Sequence, residues 1–117
     1  MKPYLPLIIL LGLSLPIHSA RAADAEAGLL AITALGKLNG QALACSEMPV
    51  AARAKLLMLR HAPKTQRFGT AYEESTQAAF LVQTGSKTVC PESLSFVRSL
   101  DDLALQLQAT LPVEASK

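Results

Sequence analysis

The sequence predicts an all-α fold, a small up-and-down bundle of about four helices stapled by one disulfide between Cys45 and Cys90. Apolar residues recur at helical spacing in four successive stretches. Proline or glycine stands at the junctions between them, and no stretch alternates apolar and polar residues as a half-buried strand would. The two cysteines are the only ones in the chain.

Residues 1–22 read as a cleaved secretory leader rather than as part of the fold. Lys2 precedes an apolar run from Leu5 to Ile17, and Ala20-Arg21-Ala22 supplies the small-x-small pattern of a cleavage site. Pro6 and Pro16 interrupt the run, which falls short of the roughly 20 residues a spanning helix needs. Cleavage is expected after Ala22, leaving 23–117 as a single small helical domain with no transmembrane anchor. The formal charge of +2 for the whole chain becomes zero once Lys2 and Arg21 are removed. About 95 residues support one modest core. In an exported compartment, periplasmic or secreted, an even pair of cysteines without a CxxC motif reads as a disulfide.

Helix 1 is expected from the acidic pair Asp24 and Glu26, whose carboxylates suit a helix N-terminus, to Ala44. Ala31, Ile32, Leu35, Leu38, Ala42 and Leu43 share one broad face, with Thr33, Lys37 and Gln41 opposite. Gly36, Gly40 and Ala44 recur every fourth residue and make a smooth strip that invites close approach by another helix. Asn39 projects from the apolar face, so burial obliges it to find hydrogen-bond partners.

Helix 2 is expected over about Pro49 to His61, after a turn in which Ser46 is a candidate cap. Val50, Ala54, Leu57 and His61 lie along one side, and Pro63 forces Ala62 out of the helical region. Helix 3 runs from about Thr65 to Thr84 with Gly85 as its terminator. It turns Phe68, Tyr72, Ser75, Ala79 and Val82 inward, so Asn39, Tyr72 and Ser75 are expected to form a small internal polar cluster. Thr88 to Cys90 is too short for a strand. Helix 4 follows Pro91 and Glu92 and carries Phe96, Val97, Leu100, Leu103, Ala104, Leu107 and Leu111 on one face until Pro112. Ser99 and Asp102 resemble a capping box where the helix would restart. A Cys45–Cys90 bond joins the end of helix 1 to the start of helix 4, ends that meet when those helices are antiparallel neighbours.

No catalytic signature accompanies this scaffold, and no enzyme activity is expected. The leaderless chain has a single histidine, His61, and no nucleophile motif, paired carboxylates or phosphate loop. Met58 and His61 stand three apart on a helix, but with Met48 they are too few and scattered to assign a metal site, and no cofactor is expected. The marked charge feature is local: Arg53, Lys55, Arg60, Lys64 and Arg67 occur with no acidic residue between Pro49 and Tyr72. Such a patch suits an acidic protein surface or anionic lipid. Nucleic acid is disfavoured by the compartment and by the lack of aromatic residues other than Phe68 beside the patch.

In plan the chain resembles small exported helical proteins with one disulfide, a group that includes acid-stress chaperones and periplasmic inhibitors or immunity proteins. The likeness covers plan and not residues. It is the lack of catalytic chemistry in a small stapled scaffold, with the basic stretch, that leads to the expectation of a noncatalytic protein acting by protein–protein binding, as inhibitor or immunity protein, accessory factor or chaperone-like factor. Its partner would be another exported or envelope protein, and Arg53, Arg60, Lys64 and Arg67 the expected contact surface. The alternative expectation is a carrier of a small apolar ligand or metal ion, with a cavity near Asn39, Tyr72 and Ser75.

Overall fold

A computed structural model describes residues 18–113, together with residues 3, 4 and 12, and the side chains of 18–23 are not described. Most of the expected leader therefore lies outside the described residues. Four helices follow in order, α1 (His18–Ala44), α2 (Met48–His61), α3 (Gln66–Gly85) and α4 (Ser93–Thr110), with no strand among the described residues. A disulfide joins Cys45 to Cys90 with Cα atoms 5.8 Å apart. The fold is the disulfide-stapled helical bundle that the apolar spacing predicts.

The helices alternate in direction. The Cys45–Cys90 bond and a 2.5 Å hydrogen bond from Ser93 Oγ to Glu47 Oε1 place the start of α4 beside the end of α1. At the other end of α4, Leu111 lies against Gly28 of α1 and accepts from His61 of α2. Thus α2 and α4 run parallel to each other and antiparallel to α1. Helix α3 runs parallel to α1, with Arg67 paired to Glu26 near their beginnings and Thr76 bonded to Gly36 further along.

α1 packs on all three other helices, α2 packs also on α4, and the principal partner of α3 is α1. This central position explains why α1 needs apolar or small residues on more than one side. Ile32, Leu35, Phe96, Leu100 and Leu107 are the largest fully enclosed side chains, and Val50, Ala54 and Leu57 of α2 complete the core with them. Each large apolar side chain so buried contributes about 1.5–3 kcal/mol.

Gly36 and Gly40 set the spacing of α1 and α3. A Cβ on Gly40 would collide with the Thr76 carbonyl and lie 2.9 Å from both the Phe80 amide nitrogen and the Ala79 Cβ, while one on Gly36 would lie 2.6 Å from the Tyr72 carbonyl oxygen. Only bare backbone on α1 admits α3 at this separation, because interaxial distance follows side-chain size at the contact. The smooth strip expected from the sequence is therefore the α3 seat.

Several local expectations are corrected. α1 starts well before Asp24 and Glu26, so these lie inside the helix, and Glu26 serves as the ion-pair partner of Arg67. Ser46 does not cap α2; it takes a left-handed backbone conformation (φ 59°) in the turn, and Glu47 occupies the cap position without a side-chain bond. Gly85 is the last residue of α3 and has no positive φ, whereas Lys87 (φ 52°) makes the left-handed turn beyond it. α4 is unbroken through Ser99 and Asp102. Leu43, Val82 and Val97, expected in the core, are 37%, 67% and 40% exposed. Proline acted as expected: Pro49 sits in the first turn of α2, and Ala62 before Pro63 is extended (φ −72°, ψ 133°).

Candidate functional site

Helix α2 supplies the most distinctive surface because its outward residues mix cations with bare leucines. Val50, Ala51, Ala54 and Leu57 face the core, which leaves Arg53, Leu56 and Arg60 on one outer row and Ala52, Lys55 and Leu59 on the next. Leu56 and Leu59 are 65% and 54% exposed. Between α2 and α4 lies an open groove of about 630 Å³, lined by Leu56, Leu57, Leu59 and Ala104 with Arg53 and Arg60 at its edge. Leu105, one turn past Asp101 on α4, is also strongly exposed.

The four basic residues expected to bind a partner do not act alike. Arg53 Nη1 pairs with Asp101 Oδ1 at 2.7 Å across the groove, and Arg67 Nη2 pairs with Glu26 Oε1 at 2.5 Å. Lys64 Nζ donates to the Leu59 carbonyl at 3.1 Å. Arg60 has no ion pair among the described residues and remains the available cation of the set. Both ion pairs join partly exposed side chains, where screening leaves such pairs less than about 1 kcal/mol. Sequence separation hid these pairings, since Asp101 and Glu26 reach the patch from other helices.

The internal polar cluster is rearranged. Asn39 is buried, and its Nδ2 donates to Thr76 Oγ1 at 3.3 Å, not to Tyr72 or Ser75. Thr76 Oγ1 in turn lies 2.8 Å from the Tyr72 carbonyl and 3.1 Å from the Gly36 carbonyl, so its proton binds within α3 or across to α1. The Ser75 hydroxyl donates back to the Ala71 carbonyl of its own helix. Thr76 is one position past Ser75, about 100° further round the helix. The helical wheel found the correct turn and the wrong neighbour.

Tyr72 keeps a shielded hydroxyl with no hydrogen-bond partner among the described residues, and desolvation pushes its pKa up from 10.0 to about 12. The phenol is thus a neutral donor at physiological pH. Asn39 and Tyr72 border one open trough, with Leu43, Met48, Ala52 and Lys55, while Ser75 borders a separate groove on the other flank of α3. These hollows open to solvent and are not enclosed cavities.

His61 Nδ1 lies 2.8 Å from the Leu111 carbonyl oxygen, which can only accept. The ring nitrogen therefore carries the proton, and the contact satisfies a carbonyl at the end of α4 that has no helical donor. Met58 is partly buried against the core, so it and His61 serve packing and capping. No group of three or more metal-ligating side chains occurs among the described residues. No helix of the described residues is long and apolar enough to cross a membrane. Compared with protein-family models, curated proteins and solved structures, the chain matches none.

Proposed function

We propose that this chain is an exported, noncatalytic helical protein that works by binding another exported or envelope protein through the α2/α4 face. The reading includes inhibitory, accessory and chaperone-like roles. It is supported chiefly by the exposed leucines Leu56 and Leu59 around a groove whose available charge is Arg60. Exposed apolar side chains beside a guanidinium offer a partner apolar area to desolvate and a charge that fixes register. Export is supported by the three-part pattern of residues 1–22 and agrees with the disulfide.

The carrier reading is the weaker one. Small apolar ligands favour sites that enclose most of their surface, and the hollows bordered by Asn39, Tyr72 and Ser75 are open.

A photoreactive amino acid at position 56, in the protein produced with its own leader and irradiated in the exporting cell, tests the proposal. A covalent adduct to a second, different polypeptide is expected, and Arg60→Glu should reduce its yield at least tenfold. Adduct yield indifferent to Arg60→Glu, or no polypeptide adduct, removes the α2/α4 face from the function.

A further inference from the structure

We infer that a second copy of this chain covers the trough between α2 and α3, forming a twofold dimer through a surface separate from the α2/α4 groove. The floor of the trough is α1, and one wall is the α2 row Met48, Ala52 and Lys55. The other wall is the α3 row Gln77, Phe80 and Leu81, and Leu43 of α1 borders the trough along both parts. Leu43, Met48, Phe80 and Leu81 are exposed together at one end, the largest being Leu81 at 66%. Four large apolar side chains exposed beside one another mark an interaction surface.

Charge identifies what covers it. Between Pro49 and Tyr72 the chain has no acidic residue, and between Phe68 and Ser86 it has no basic one. The two walls of the trough therefore carry opposite charge, Lys55 on α2 and Glu73 on α3, where Glu73 precedes Gln77 and Phe80 by one and two turns on the same row. Lys55 and Tyr72 border the same stretch of the trough, so Lys55 and Glu73 stand at a similar height along the bundle. No ion pair joins them among the described residues.

A twofold axis running along the trough keeps heights and exchanges walls. It lays α2 of each copy over α3 of the other, Lys55 above the second copy's acidic wall, and brings the two apolar ends together. Each contact then occurs twice, as an isologous interface requires. Any other partner would have to present the same pairing of walls; a second copy presents it by construction.

Sedimentation equilibrium of the oxidised, exported protein tests this. A reversible monomer–dimer equilibrium is expected, with dissociation in the range of about 1–100 μM. Leu81→Glu, at an exposed site that leaves the helix content unchanged, should weaken dimerisation at least a hundredfold. Lys55→Glu should weaken it about tenfold, and Lys55→Glu combined with Glu73→Lys should restore it, because the swapped charges meet again across the axis. A monomer up to millimolar concentration overturns the inference, including a monomer that retains a small apolar molecule in the trough. So does a dimer that tolerates Leu81→Glu or shows no rescue by the double swap. A photoreactive residue at position 81 gives an independent reading: an adduct of twice the chain mass supports the dimer, and adducts only to other polypeptides overturn it.

Discussion

Gly40 and Gly69 sit in helices and differ in what a methyl group would meet. Around Gly69 a Cβ has open space, so Gly69→Ala should gain about 0.5–1 kcal/mol from helix propensity alone. Gly40→Ala gains the same propensity but drives a methyl into the α3 backbone, and overpacking of this kind costs about 1–3 kcal/mol. Urea unfolding of the two variants should therefore move in opposite directions; a stabilised Gly40→Ala would mean that α3 does not lie where the contact puts it. Tyr72 offers a second residue-level reading through pH. In a chain without residues 1–22 it is the only tyrosine, and the sequence has no tryptophan, so near-ultraviolet phenolate absorbance reports it alone. Its folded pKa is raised to about 12 by desolvation, so folding loses stability as pH rises from the unfolded value near 10 to the folded one. Tyr72→Phe should abolish that component of alkaline sensitivity without loss of stability at neutral pH, since the hydroxyl it removes has no partner among the described residues. An absorbance midpoint near 10 in the folded chain contradicts the shielding.

At the scale of elements, the disulfide should matter more than either ion pair. It closes a separation of 45 residues, for which the loop-entropy relation gives about 4 kcal/mol. The exposed ion pairs each contribute less than about 1 kcal/mol. Cys45→Ser with Cys90→Ser should thus lower the unfolding free energy severalfold more than Arg53→Ala, as compared by urea titration, and equal losses would refute that ranking. Helix identity was legible in the sequence because local chemistry decides it: Pro63 and Pro112 stop helices, Pro49 starts one, and the period through Leu43 carries α1 past Gly40. Helix pairing was less legible. Periodicity says that Ala79 and Phe68 are inward but not which helix receives them, and the Gly36/Gly40 strip announced a close neighbour without naming α3. The candidate site suffered most, because Arg53 and Arg67 look free in sequence and are paired by acids 48 and 41 positions away. Val82 misled for a related reason: it belongs to the inward stripe by period, yet α3 has only α1 as its main support, so that edge stays exposed.

Across the whole molecule, support is uneven in a way that links stability to assembly. α1, α2 and α4 share the fully buried core, while α3 contributes only Phe68 and Ala79 as buried residues besides its partly buried row. Phe68 lies in the first turn of α3, where Thr65 Oγ1 accepts from its amide, and Ala79 is seated on Gly40, so the end from Leu81 to Gly85 is the least supported part. Local opening free energies follow buried contact. Amide hydrogen exchange should therefore show α1 protected to the global limit and residues 81–85 opening first, by a separate and cheaper event. Leu81 at the start of that segment belongs to one wall of the proposed dimer trough. A dimer binds the closed form of α3 and not the open one, so mass action adds stability to this segment as concentration rises. Exchange at 81–85 should slow by about the factor by which concentration exceeds the dissociation constant, the same factor by which dimerisation slows global unfolding, so α1 stays the more protected at every concentration. In the Leu81→Glu protein the concentration dependence should vanish and the local opening should remain. Exchange at 81–85 that is as slow as in α1 at every concentration would instead make the four helices one cooperative unit and remove the link.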